Sequence, residues 1–402
     1  MLNYEKIKND FPLLNKQAKE KPIVYFDSAC MSLKPKQVIE VMNEYYFDFP
    51  ACSGRSSHRL GELVTKKMKE ARRIVANFIS ADEQEIVFTR NTTEAINLLA
   101  NTLDLKNGDL VLTTDKEHNS NLIPWQVLTK KKGIRHEIVK LNDDGTFNLE
   151  KYKELVKGAR LVSMVHTSNL DGTTIPAKEI IKIAHENGAL VFLDAAQSAP
   201  HKKINVKDLD VDFLAFSGHK MLGPTGTGVF YGKYNLLERL EPFMVGGDTV
   251  EYSTYTDHKM LKAPEKFEAG LQDYAGIIGL SEAVNYLETI GFDNIKEQEL
   301  MLNRYITEEI NKLPKIKIIG PSDPALRSGI ISFYIDGTDM HQVALMLDEM
   351  SGIMIRSGQH CVHSWFNDKK IKNSARVSLY FYNTMEEAEK FISSLNKIIK
   401  IL

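Results

Sequence analysis

RLVSMVHTSNLDGTTIPAKEIIKIAHENGALVFLDAAQ occupies residues 160–197. It opens on a short apolar run rich in β-branched residues, passes through a helical stretch and closes on a second apolar run. The middle segment, 177–188, sets Ile180, Ile181, Ile183 and Ala184 on one stripe and stops at Asn187-Gly188, a favourable helix end. Similar apolar runs recur at EIVFT (85–89), DLVLTT (109–114), VDFLAFSG (211–218) and GVFYG (228–232), and TTEAINLLANTL (92–103) again has helical period. Strand–helix–strand alternation with nearly continuous apolar strands predicts an α/β fold, a mostly parallel sheet covered on both faces.

A second region begins after about residue 275. Residues 279–313 read as one long helical connector. ISFYI (331–335), helical DMHQVALMLDEM (339–350), IMIRSG (353–358), ARVSLYFYN (375–383) and a final amphipathic helix over 385–402 then predict a smaller α+β domain. The expected division is a large domain over 1–275, whose segment 1–20 can pack on the small domain, and a unit of connector helix and small domain over 276–402.

Composition narrows the function. With Lys+Arg 51 against Asp+Glu 53 the net charge is −2, so no global field points to nucleic acid or to a membrane. The first residues mix charges of both signs without an apolar h-region, and no apolar run reaches the ~20 residues of a spanning helix. Three cysteines, Cys30, Cys52 and Cys361, are an odd count that argues against a secreted disulfide framework, and the expectation is a cytoplasmic protein.

In such sheets function gathers where loops leave the carboxyl ends of strands. After EIVFT, Asn91-Thr92-Thr93-Glu94 opens a helix; it reads either as a phosphate site or as a plain start capped by Thr92 or Thr93. After DLVLTT comes His118, a catalyst or a loop hydrogen-bonder. Asp194 ends a buried apolar strand, with Gln197 three residues on. It needs either a salt-bridge partner or a cationic ring nitrogen, because an unpaired buried charge is costly. After DFLAF comes Ser217-Gly218-His219-Lys220. The following GPTGTG fails both the Walker spacing and the dinucleotide fingerprint, since it lies between two strands.

A phosphate site, a carboxylate for a ring nitrogen, a histidine and a reactive lysine together suit pyridoxal 5′-phosphate (PLP). The stretches YFDSAC, GRSSH, EIVFTRNTTEAINLLA, TDKEHNSNLIPWQ, HTSNLDGT, LVFLDAAQSAPH, DFLAFSGHKMLGPTGTGVFYG, FEAG, IRSGQHCVH and ARVSLYFYNT carry a further resemblance. In order and spacing the chain resembles the class V, fold type I PLP enzymes, and within them the cysteine desulfurase and selenocysteine lyase group. The resemblance implies that Lys220 bonds covalently to the cofactor, that Asp194 partners the pyridine nitrogen and that Gln197 lies near the phenolic oxygen. It implies that His118 stacks over the ring and that Thr92, Thr93, Ser217 and His219 hold the phosphate. Asn169 falls near substrate and ring, Arg376 on the clamp for the substrate carboxylate, and Arg55 and His58 on a loop beside the site.

Cys361, flanked by His360 and His363, reads from its residues alone as a small buried hydrophobe or, less well, as part of a metal site. The resemblance makes it the thiol that takes sulfur from L-cysteine as a persulfide, leaving L-alanine. It also implies a sulfur-acceptor or scaffold protein and a homodimer, with selenocysteine lyase or an aminotransferase as the alternative. No metal is expected. The chain departs from the family pattern in reading DSACM near its start and in placing Leu271 after Gly270, where a threonine is common, so that Gln272 or backbone groups must serve. Cys30 and Cys52 read as buried or loop thiols.

Overall fold

The apolar runs become strands, each buried along most of its length. They are β1 Ile86–Thr89, β2 Leu110–Thr114, β3 Arg135–Val139, β4 Ala159–Val165, β5 Leu190–Asp194, β6 Phe213–Ser217 and β7 Gly228–Gly232, with β3 as the polar exception. The structure is a computed structural model describing residues 2–18 and 20–401. Met1, Lys19 and Leu402, which fall within the expected N-terminal segment and final helix, lie outside the described residues. Among the described residues these seven strands form one sheet in the order β1-β7-β6-β5-β4-β2-β3. β2 to β6 run parallel to one another, and β7 is antiparallel to both β6 and β1.

Helices cover both faces, as a sheet apolar on both sides requires. They are α1 Lys36–Asp48, α2 Arg59–Phe78, α3 Thr92–Thr102, α4 Asn119–Lys132, α5 Ala177–Glu186 and α6 Tyr274–Ile290. The expected connector is two helices, not one: the chain breaks at Gly291 before α7 Phe292–Asn311. α6 packs on α1 and α2, whereas α7 gives Leu302, Ile306 and Ile310 to a second core.

That second core lies on the sheet β8 Ile316–Ile319, β9 Ile330–Ile335, β10 Arg356–Gly358 and β11 Ser374–Ser378, ordered β8-β9-β11-β10, with α8 Met340–Ser351 and α9 Met385–Ile399. The expected strand ARVSLYFYN ends at Ser378, because Tyr380–Tyr382 turn away into an aromatic cluster with Phe11. Near the N-terminus, Val24–Tyr25 pairs in parallel with Ile353–Met354, which ties the residues before Asp27 to the second core. Among the described residues no helix is long and apolar enough to cross a membrane.

Candidate active site

Because only β7 is reversed, β1, β2, β4, β5 and β6 deliver their carboxyl ends to one edge of the sheet. There a cavity of about 240 Å³ is lined by Thr92, Thr93, His118, Asn169, Asp194, Gln197, Ser217, His219, Lys220 and Arg376. Five strand-end segments of the large sheet meet there, as the strand-end argument requires, and Arg376 joins them from outside it.

The cap of α3 is Asn91, not either threonine: its side chain accepts from the Glu94 N–H at 3.0 Å. This frees the threonine hydroxyls. Thr92 Oγ1 lies 2.8 Å from Ser217 Oγ, which also accepts from the Thr92 N–H at 2.9 Å, and Thr93 Oγ1 lies 2.6 Å from Ser120 Oγ. Hydroxyls at the positive end of an eleven-residue helix are suited to receive an anion. Glycine is needed to close this end. A Cβ on Gly218 would meet Thr227 Oγ1 at 2.2 Å, and one on Gly228 would meet the Asn91 Cα at 2.6 Å. Of the glycines after the lysine, Gly228 is a packing residue, while Gly226, in open space, has a φ of 77° that the strand-to-strand turn requires.

Lys220 ends a short 3-10 turn directly after β6. Burial pushes its amine below the usual lysine range, opposed by the charge of Asp194. Burial raises Asp194, opposed by Lys220 and by the Ala196 N–H, which donates to Oδ1 at 2.9 Å. A cation placed beside Asp194 would hold it ionised. Nδ1 of His118 accepts from the Ser120 N–H at 3.1 Å, which leaves the proton on Nε2. Burial and then Lys220 lower its pKa to about 3, so the ring is neutral near pH 7.

The opposite wall belongs to the small sheet. Arg376 on β11 donates from Nη1 to the Asn169 carbonyl at 2.9 Å and from Nη2 to Asp27 at 3.3 Å, while its Nε has no partner. Gln197 gives its amide N–H to the Ala29 carbonyl at 2.7 Å and leaves Oε1 unpartnered, and Asn169 leaves Oδ1 likewise. His360 Nδ1 is unpartnered too, and since buried polar atoms are nearly always satisfied, four unfilled ones around one cavity mark a site shaped for a polar guest.

Cys361 does not line the cavity; its neighbour His360 does. The thiol follows the edge strand β10 on a turn where His360 and Cys361 have φ of 49° and 60°, a left-handed conformation uncommon outside glycine. Two amides hold that turn. Asn169 Nδ2 donates to the His360 carbonyl at 2.8 Å, and the Asn119 N–H donates to the Cys361 carbonyl at 2.7 Å. Among the described residues no three His, Cys, Asp or Glu side chains cluster so as to hold a metal ion.

Arg55 is not brought to the cavity. It is exposed, paired with Asp248, and lines a surface groove with Gln272 and Tyr274. His58 caps α2, its Nδ1 accepting from the Gly61 N–H. Cys30, expected as a buried or loop thiol, stands on the cavity wall, its Sγ accepting from Arg356 Nη1 at 2.8 Å. Asp27, which does not line the cavity, pairs with the lining residue Arg376.

Residues 24–391 match the aminotransferase class-V family. The chain is 41% identical over 401 residues to a probable cysteine desulfurase of Pyrococcus abyssi, across 99% of this chain and 98% of that one. It superposes with a TM-score of 0.96 at 40% identity on the apo structure of a cysteine desulfurase from Thermococcus onnurineus NA1, covering 100% of this chain and 99% of that one. A cysteine desulfurase from Escherichia coli gives a TM-score of 0.91 at 30% identity over 100% of both chains. The chain belongs to the class-V aminotransferase family.

Proposed function

We infer that this chain is a PLP-dependent cysteine desulfurase that converts L-cysteine to L-alanine and places the sulfur on Cys361 as a persulfide. The observation that carries this reading is the cavity itself: Lys220, Asp194 and Arg376 share it, and the Cys361 turn is roped to its wall through Asn169. Full-length relatives at about 40% identity named as cysteine desulfurases support it.

The residues fit PLP. Thr92, Thr93, Ser217 and His219 would hold the phosphate, Asp194 the ring nitrogen and Lys220 the aldehyde carbon, with the unpartnered Gln197 Oε1 beside them. When bound, PLP supplies an electron sink that stabilises negative charge on the substrate carbon. Arg376 binds the substrate carboxylate, a task its planar fork suits. Lys220 moves a proton at the substrate carbon, which an amine with a pKa lowered by burial does well. The Cys361 thiolate attacks the substrate sulfur. An S–S bond forms and the C–S bond breaks, its electron pair remaining on the carbon fragment, which takes a proton to become alanine. The persulfide then passes to an acceptor protein or thiol.

A homodimer fits the exposed apolar residues Phe243, Met244, Val245 and Leu271, of which Met244 and Leu271 line one groove. Arg55 lies on the adjoining groove, so its contribution to a substrate site would come through a second copy of the chain. The deciding experiment incubates PLP-loaded protein with L-cysteine and measures alanine, and sulfide released by dithiothreitol. Equal yields of both are expected. Alanine without sulfide or persulfide would sink the desulfurase reading and keep the cofactor.

A further inference from the structure

A second cavity, of about 430 Å³, lies between the loop after β5 and the start of α7, outside the chemistry above. Lys202, Lys203, Lys296 and Arg327 all line it. Its two carboxylates do not balance them. Glu299 lies 2.5 Å from His201 Nδ1 through Oε1 and offsets Lys202 alone among the lining cations, and Asp293 is exposed in the first turn of α7. Lys203 and Lys296 are exposed and form no ion pair among the described residues.

Arg327 is the informative residue. It is only 3% exposed, and Nη2 donates to Thr307 Oγ1 at 2.6 Å, yet Nε and Nη1 have no partner. The carboxylate it senses most, Asp171, is already paired with buried Lys116. Asp323 is the other carboxylate that acts on it, and neither Asp171 nor Asp323 forms an ion pair with it among the described residues. A buried guanidinium with two unpartnered nitrogens is suited to an anion from outside. Two independent features agree. Ser328 Oγ in the same wall is unpartnered, and α7, twenty residues long, begins in the cavity with no side-chain cap, so its positive end is open.

We propose that this cavity binds a small oxyanion of the phosphate class, bridging the loop 201–203 of the large layer and the α7–Arg327 wall of the second core. The guest is either free phosphate or the phosphate group of a small metabolite, and both present the same oxygens to Arg327 and the helix end. The site is separate from the phosphate cup at α3 and stands whether or not the desulfurase reading does.

The test is calorimetric titration of the PLP-loaded full chain with inorganic phosphate and with glycerol phosphate, at ionic strength matched by sodium chloride. Cofactor absorbance is followed to show that the α3 cup stays filled. Saturable binding of one anion per chain is expected, weakened at least tenfold in the double variant Lys203→Gln, Lys296→Gln, whose surface positions leave the fold and desulfuration intact. Tighter binding of glycerol phosphate would assign the site to a metabolite, and equal or weaker binding to free phosphate. Absence of saturable heat, or equal affinity in the double variant, overturns the proposal.

Discussion

Lys220 follows a strand buried at all five residues, whereas Cys361 follows a three-residue edge strand that is half-buried throughout. The lysine wall is fixed by sheet hydrogen bonds and by glycine-tight packing. The cysteine turn is left-handed at two successive non-glycine residues and is held by side-chain and cap amides. The contrast separates two demands. A cofactor must be met by groups that do not move, while the thiol of the proposed reaction, taking sulfur in the cavity and handing it on outside, must be able to swing. Strained turns held by a few bonds suit the second demand.

The contrast can be broken from either side. Lys220→Ala is expected to abolish the absorbance of covalently bound cofactor and to lower desulfuration by at least about a thousandfold, the scale of a lost acid–base and covalent group. Cys361→Ser should drop persulfide formation to background while leaving that absorbance unchanged. If both variants lose the cofactor, the two regions are not separable. Asn169→Ala tests the rope between them. It should cost roughly ten- to a hundredfold in kcat, the scale of a misplaced reacting group, with little change in cofactor absorbance. An unchanged kcat would show that the turn is held elsewhere.

Smaller effects probe the rigid wall. Gly218→Ala should destabilise by about 1–3 kcal/mol, read as a lower Tm, since its methyl has nowhere to go. His166 and His118 take up protons in the folded chain only near pH 3, because burial disfavours their charged forms. Unfolded, each takes one near its ordinary value of about 6.5. Between those limits the unfolded chain binds more protons, so stability should fall as pH drops from about 6.5 toward 3. His166→Gln should flatten that slope in a denaturant titration repeated across pH; an unchanged slope would remove His166 from the account.

The sheet was legible because its strands are buried on both faces and so read as continuous apolar runs. β3 was not, because its residues Arg135–Ile138 are exposed or half-buried at the sheet edge and carry no such run. β8 escaped for the same reason. The cavity residues on the large sheet were legible because each follows its strand within a few positions. Contacts that depend on distant segments were not. Cys30 meets Arg356 across 326 positions and Asp27 meets Arg376 across 349. Only the assembled fold relates them, and no local pattern announces either pair. Arg55 shows the converse, a motif residue whose own chain turns it toward solvent.

One reversed strand has a consequence for how the molecule comes into being. β1 pairs with β7 and with no other strand of its sheet, so the first sheet strand to leave the ribosome waits for the last. Until Gly228–Gly232 emerges, nothing joins β1 to β6, and Thr92 is not held against Ser217. Pairings of such long sequence separation form slowly, because loop closure precedes their reward. Cofactor capture is thereby coupled to completion of the whole sheet, and a chain stalled before residue 228 is left with an unpaired apolar strand and nothing to load.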